Sequence, residues 1–159
     1  MASILKVNTI QDATNSNTAM TIDSSGRILK PTTPHFHVTK NDAHVGASTT
    51  IVWNNKVRDT ETSFNTSTGK YTIPLTGVWW MGICGLSYNT NLIEISVKVN
   101  DTLTFNVRNK AGDTAVSTAS TSFAFYFTAS DVVSTHTEAS SSMYGTGSAY
   151  AYWTGYLIG

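Results

Sequence analysis

The chain is 159 residues long, carries no net charge at pH 7, and has only 13% charged residues, so it offers no basic footprint for nucleic acid. Forty per cent of its residues are hydrophobic, enough to fill the core of one domain with a short appendage, yet no stretch is long enough to span a bilayer. Ser and Thr supply 44 residues and aromatics 17, a composition that suits strands and turns better than helices.

Residues 1–33 differ from the rest of the chain. Ile4, Leu5, Val7 and Ile10 form a short strand-like cluster, and a polar stretch separates it from Ala19-Met20-Thr21-Ile22. Asp23-Ser24-Ser25-Gly26 then reads as a turn before a third patch, Arg27-Ile28-Leu29. Each patch is too small for a core of its own, so the segment is expected to order against copies of itself or another protein. The start lacks a basic region followed by an apolar one, so it is no signal peptide. Lys30-Pro31-Thr32-Thr33-Pro34 reads as an extended linker, which places a boundary between an appendage at 1–33 and a domain at 34–159.

From His35 onward, strand signals come at short spacing. Phe36 and Val38 alternate with His35, His37 and Thr39; Thr50 to Trp53 and Val57 come next. Tyr71 and Ile73 lead to a turn at Leu75-Thr76-Gly77. The longest apolar run, Val78 to Leu86, lies directly after it. Both phases of that run are apolar, so it reads as a strand buried on both sides. Ile93, Ile95, Val97 and Val99 alternate with polar residues, as do Leu103, Phe105 and Val107. Phe123, Phe125 and Phe127 alternate with Ala124, Tyr126 and Thr128, again as a strand covered on both faces. About ten short strands without helical periodicity make the expected fold all-β, a jelly-roll sandwich. No charged residue occurs after Glu138, and such a deficit is expected where another subunit covers the surface.

Three motifs in order make the fold specific. Phe64-Asn65, then Gly69, Tyr71 and Pro74, then Gly77-Val78-Trp79-Trp80, resemble the signature of the complement q-type globular head, a branch of the tumour-necrosis-factor-like jelly rolls. Phe127 to Val133 and the ending Trp153-Thr154-Gly155-Tyr156-Leu157 are similar to two later steps of that pattern. The resemblance covers 35–159 and implies a ten-stranded antiparallel jelly roll assembling as a homotrimer. Tyr71, Pro74, Gly77, Trp80, Phe125 and Tyr156 are its expected structural core. Residues 2–11 and 18–27 resemble the opening of fibre and virion proteins of marine tailed bacteriophages. Together the two imply a non-enzymatic virion protein, a trimeric fibre or tail-tip head for host adsorption, held to other virion proteins through residues 1–33. Capsid decoration and a secreted complement q-type binding module are the alternatives.

No constellation with catalytic spacing stands out. Acidic residues are scattered, no nucleophile-elbow motif occurs, and Cys84 lies inside an apolar run, where it reads as a filler. His35 and His37 share one side of a strand, which on a threefold axis can hold a metal; ordinary polar residues at the start of a domain is the plainer reading. No cofactor or metal is assigned. Two sequons, at Asn65 and Asn100, are what chance gives in a chain this rich in Ser and Thr. The candidate host-contact loops are Asn89 with Asn91, in a turn, and Tyr144 with Tyr150, in a Gly- and Ser-rich aromatic stretch of the kind that serves binding surfaces. Glycan or protein on the host surface is the expected target. The stronger reading of Tyr150, Tyr152 and Trp153 is that they are core or trimer contacts.

Overall fold

Alternation of apolar and polar residues decides much of the local structure. A computed structural model describes residues 6–88, 92–110, 117–147 and 150–159, and among these there are thirteen strands and no helix. The chain divides into two units, Met1–Thr33 and Pro34–Gly159.

The first unit is an antiparallel meander of β1 (Thr9–Gln11), β2 (Thr18–Ile22) and β3 (Ile28–Leu29), with β2 in the middle. Its two turns are built on aspartates. Thr14 and Asn15 donate backbone N–H groups to Asp12 Oδ1, and Ser25 and Arg27 donate theirs to Asp23 Oδ1. Arg27 Nε completes the second turn at 2.6 Å from Asp23 Oδ2.

The second unit holds β4 (His35–Thr39), β5 (Asn55–Asp59), β6 (Phe64–Asn65), β7 (Lys70–Thr72), β8 (Gly77–Leu86), β9 (Leu92–Val99), β10 (Thr102–Lys110), β11 (Thr118–Phe127), β12 (Val132–Thr137) and β13 (Tyr152–Leu157). These ten antiparallel strands form two five-stranded sheets, β10-β9-β12-β7-β6 and β11-β8-β13-β4-β5. This is the ten-stranded jelly roll that the motifs imply. Between the sheets, Phe36 stacks on Tyr71 with ring centroids 4.1 Å apart, and Trp153 meets Phe36 edge-on at 5.0 Å. Trp53, Trp79, Met81, Ile93, Ile95 and Phe127 fill the remainder. Where the two edge strands meet, Phe105 of β10 stacks on Phe123 of β11 at 4.2 Å.

Register fixes two ends. At one, Thr39 pairs with Tyr152, Leu86 with Thr118, and Leu92 with Lys110. At the other, His35 pairs with Tyr156, Gly77 with Phe127, and Val99 with Thr102. The second end is where the chain enters, since Leu157 donates its N–H to the carbonyl of Pro34.

Three expectations need correction. The run Val78–Leu86 is buried on one face only: Trp79, Met81 and Ile83 point into the sandwich, while Val78 is exposed and Trp80 and Cys84 are half-buried. The same holds for β11, where Tyr126 is 61% exposed although Phe127 is fully buried. A two-layer sandwich covers the inner face of each sheet, and among the described residues of this unit no third layer lies over the outer one. Among the expected core residues, Tyr71 and Gly77 are buried, and Pro74 and Phe125 are partly covered. Trp80 and Tyr156 instead pair on the outer face, with Tyr156 44% exposed. Finally, Ile51 and Trp53 are buried without belonging to a strand. Thr135 holds both, accepting from the Ile51 N–H at 2.8 Å and from Trp53 Nε1 at 2.8 Å.

Candidate binding end of the head

The end of the sandwich away from Pro34 gathers the loops after β4, after β8 and before β13. Backbone hydrogen bonds lace them together. Val45 and Met143 exchange N–H···O bonds at 2.9 Å, Tyr144 donates to Leu86 at 2.7 Å, and Tyr88 donates to Ser142 at 3.0 Å. This lacing brings four rings together. His44 stacks on Tyr88 with centroids 3.4 Å apart and an 18° interplanar angle. Tyr144 lies 4.7 Å from His44 and meets Tyr88 edge-on at 5.9 Å. Tyr150 completes the group, edge-on to Tyr144 at 5.2 Å and 50% exposed.

Two features set the orientation of His44. The Gly145 N–H donates to its Nδ1 at 2.9 Å, which makes Nδ1 the acceptor and leaves the proton of the neutral ring on Nε2. The approach that permits this bond needs glycine at 145, because a Cβ there would lie 2.1 Å from the carbonyl oxygen of Ala43. Beside the rings, a cleft of about 180 Å³ runs between Lys40, His44, Val45 and Thr50. It is smaller than the cavities that enclose a drug-sized ligand. The open aromatic surface is therefore the candidate contact feature at this end. Lys40 at the cleft is buried and paired with the Asp42 carboxylate, and burial pushes its amine below the usual lysine range.

Tyr144 and Tyr150, both expected contacts, meet here, whereas Asn89 and Asn91 lie outside the described residues. Sequence reasoning missed His44 and Tyr88. Tyr88 carried a weak signal as the neighbour of Asn89. Nothing in the chain's pattern ties position 44 to position 145, which meet only through the fold.

Other reactive groups lie elsewhere. His35 and His37 stand on the outer face of the β11-β8-β13-β4-β5 sheet, where Arg58 Nε reaches His35 Nε2 at 3.4 Å and His37 lies 6.0 Å from the Tyr152 ring. No cluster of three metal-ligating side chains occurs among the described residues. Burial pushes the Cys84 thiol up, which disfavours the thiolate. His136 Nε2 is 3.0 Å from Ser134 Oγ, but its Nδ1 faces Thr50 Oγ1 instead of a carboxylate, and Ser134 is buried. That dyad lacks both the orienting acid and the access of a nucleophile.

Solved structures share the fold. The globular domain of a zebrafish complement 1qA protein superposes with a TM-score of 0.66 at 17% identity, covering 79% of this chain and 98% of that one. The tumour-necrosis-factor protein Eiger from S. frugiperda gives a TM-score of 0.68 at 11% identity over 80% of this chain and 93% of its own. Murine APRIL at pH 5.0 gives 0.66 at 11% identity, with 79% and 99% covered. No curated protein matches the chain by sequence. The model of the C1q domain, however, matches residues 35–158, from the first head strand to the penultimate residue. The chain thus belongs to the C1q-domain family.

Proposed function

We propose that this protein is a non-enzymatic structural protein of a tailed-phage virion, a homotrimeric fibre or tail-tip head that adsorbs to the host surface through its aromatic loop end. The observation that carries the reading is the position of His44, Tyr88, Tyr144 and Tyr150 at the end of the head opposite its entry at Pro34. Rings disposed this way stack on sugar rings or on protein side chains at small entropic cost. Three copies per trimer turn a weak contact into useful avidity.

The trimer is supported by the outer face of the β11-β8-β13-β4-β5 sheet. Val78, Trp80, Tyr126 and Tyr156 all stand on that face, which is apolar beyond what a lone sandwich needs. Trp80 and Tyr156 pack with centroids 5.4 Å apart. Homologues with the C1q and tumour-necrosis-factor folds form homotrimers, and their domains are generally binding modules without catalytic activity. The virion role is supported by the likeness of residues 2–11 and 18–27 to the start of phage fibre and other virion proteins, with that segment docking the head on the particle. In that setting the protein is made in the host cytoplasm and works on the virion.

The C1q-domain match favours a second reading, a secreted binding module with the same trimer and the same loop end. Capsid decoration differs from the first only in where residues 1–33 dock. Antibody labelling of particles by electron microscopy separates all three, with tail, capsid or no decoration as the respective outcomes. For the binding end, the full chain on an array of bacterial surface glycans and on whole cells is expected to bind. Tyr144→Ala and Tyr150→Ala are each expected to lose about 1–3 kcal/mol, the order found for aromatic anchors at interfaces. Unchanged binding in both variants would move the contact surface elsewhere.

A further inference from the structure

The N-terminal meander has one apolar face. Cross-strand partners lie on the same side of a sheet, and Ile10 pairs with Met20 while Ile22 pairs with Ile28. Met20 and Ile22 are two apart on the central strand, so all four share that face. The opposite face carries Thr9, Thr21 and Leu29, the last 49% exposed and the one large apolar side chain there. On the apolar side, Ile10 is 43% exposed and Ile28 61% exposed. Strands of three, five and two residues are too short to bury such a face by themselves.

The geometry points to the same face on two further copies of the chain as its cover, so that residues 6–29 form a second trimer contact, separate from the head. Three observations favour copies over a different partner. The face bears no charge. The charges of residues 6–33, Lys6, Arg27 and Lys30 against Asp12 and Asp23, leave only a net +1, so like segments scarcely repel. Two of those five, Asp23 and Arg27, are already paired to each other in a turn. Lastly, only residues 30–34 separate β3 from β4, a tether of at most about 20 Å. In a head trimer, which this inference takes from the reading above, that tether holds the three faces at millimolar effective concentration. A self-contact too weak to form between free chains then forms inside each trimer.

The experiment uses the full chain with Cys84→Ser, which removes its single cysteine, and adds Ile10→Cys, Ile28→Cys or, for the opposite face, Thr21→Cys. Each is treated with a short bis-maleimide after its mass is measured by light scattering. A trimer in which Ile10→Cys and Ile28→Cys yield a crosslinked dimer on a denaturing gel, and Thr21→Cys loses that band, is the expected result. A trimer with no crosslink at Ile10 and Ile28, or with an equal one at Thr21, overturns the self-packed face and leaves the head trimer standing. A monomer removes the head trimer and this inference with it.

Discussion

His136 shows how a single side chain couples the head to pH. Both ring nitrogens lie against hydroxyls, Thr50 Oγ1 at 3.2 Å and Ser134 Oγ at 3.0 Å. Burial first, then the nearby Lys98 and Lys70, lowers its pKa below 6.5, and Glu138 and Asp101 offset part of that. The unfolded chain therefore takes up this proton first as pH falls. Stability from this residue is whole above 6.5, declines below it, and has gone once the folded imidazole also protonates. Thermal unfolding between pH 8 and 5 is expected to be less steep in pH for His136→Gln than for the natural chain. Equal slopes would assign the pH response to other groups. Tyr71 makes a second case at this scale. Its hydroxyl is buried with no hydrogen-bond partner among the described residues, and burial with the charges of Asp59 and Glu61 pushes its pKa up. Tyr71→Phe removes an unsatisfied group while keeping the ring on Phe36. It is expected to be neutral or to stabilise by about 1 kcal/mol in denaturant titration, and a loss of more than that would reveal a partner for the hydroxyl.

Among the elements, the segment 138–147 organises the candidate binding end. It belongs to no strand, yet it bonds in turn to Glu94, Val45, Leu86 and Tyr88, and so ties the loops after β4 and β8 to one surface. Gly145 is its tightest point. Gly145→Ala forces the backbone away from Ala43 and breaks the bond to His44. The expected outcome is a cost of about 1–3 kcal/mol in stability, of the size seen for overpacked sites, with loss of glycan or cell binding. Retained binding with lowered stability would separate the loop's structural role from recognition. The existence of most strands was legible in the alternation of residues such as Ile93, Ile95, Val97 and Val99. The side on which β8 and β11 are buried was not. A period of two assigns faces only when one phase is polar, and in Val78–Leu86 both phases are apolar.

At the scale of the whole molecule, Trp80 and Trp153 separate the fold from the proposed assembly. Trp153 is fully buried between the sheets, so Trp153→Ala is expected to cost the head about 3–5 kcal/mol. Trp80 lies on the outer face against Tyr156, and a Cβ at Gly82 would come within 2.8 Å of its ring. Trp80→Ala is therefore expected to cost the fold less than Trp153→Ala does, and to shift the proposed trimer toward monomer at micromolar concentration by light scattering. The reverse order of effects would place the assembly surface on another face. The uncharged stretch from 139 to 159 fits that division, since β13 sends Trp153 inward and Tyr156 outward.

By itself the chain determined its class. Two-residue periodicity, short spacing between turns and three ordered motifs from Phe64 to Leu157 leave an all-β jelly roll, because those signals are local and each strand writes its own. The break at Pro31 and Pro34 was equally local. The candidate binding end was decided only by tertiary structure. His44, Tyr88, Tyr144 and Tyr150 come from three loops, and the Gly145–His44 bond spans 101 positions. Contacts across that separation depend on sheet register and on a glycine's close approach to a neighbouring backbone, and neither leaves a periodic mark in the sequence.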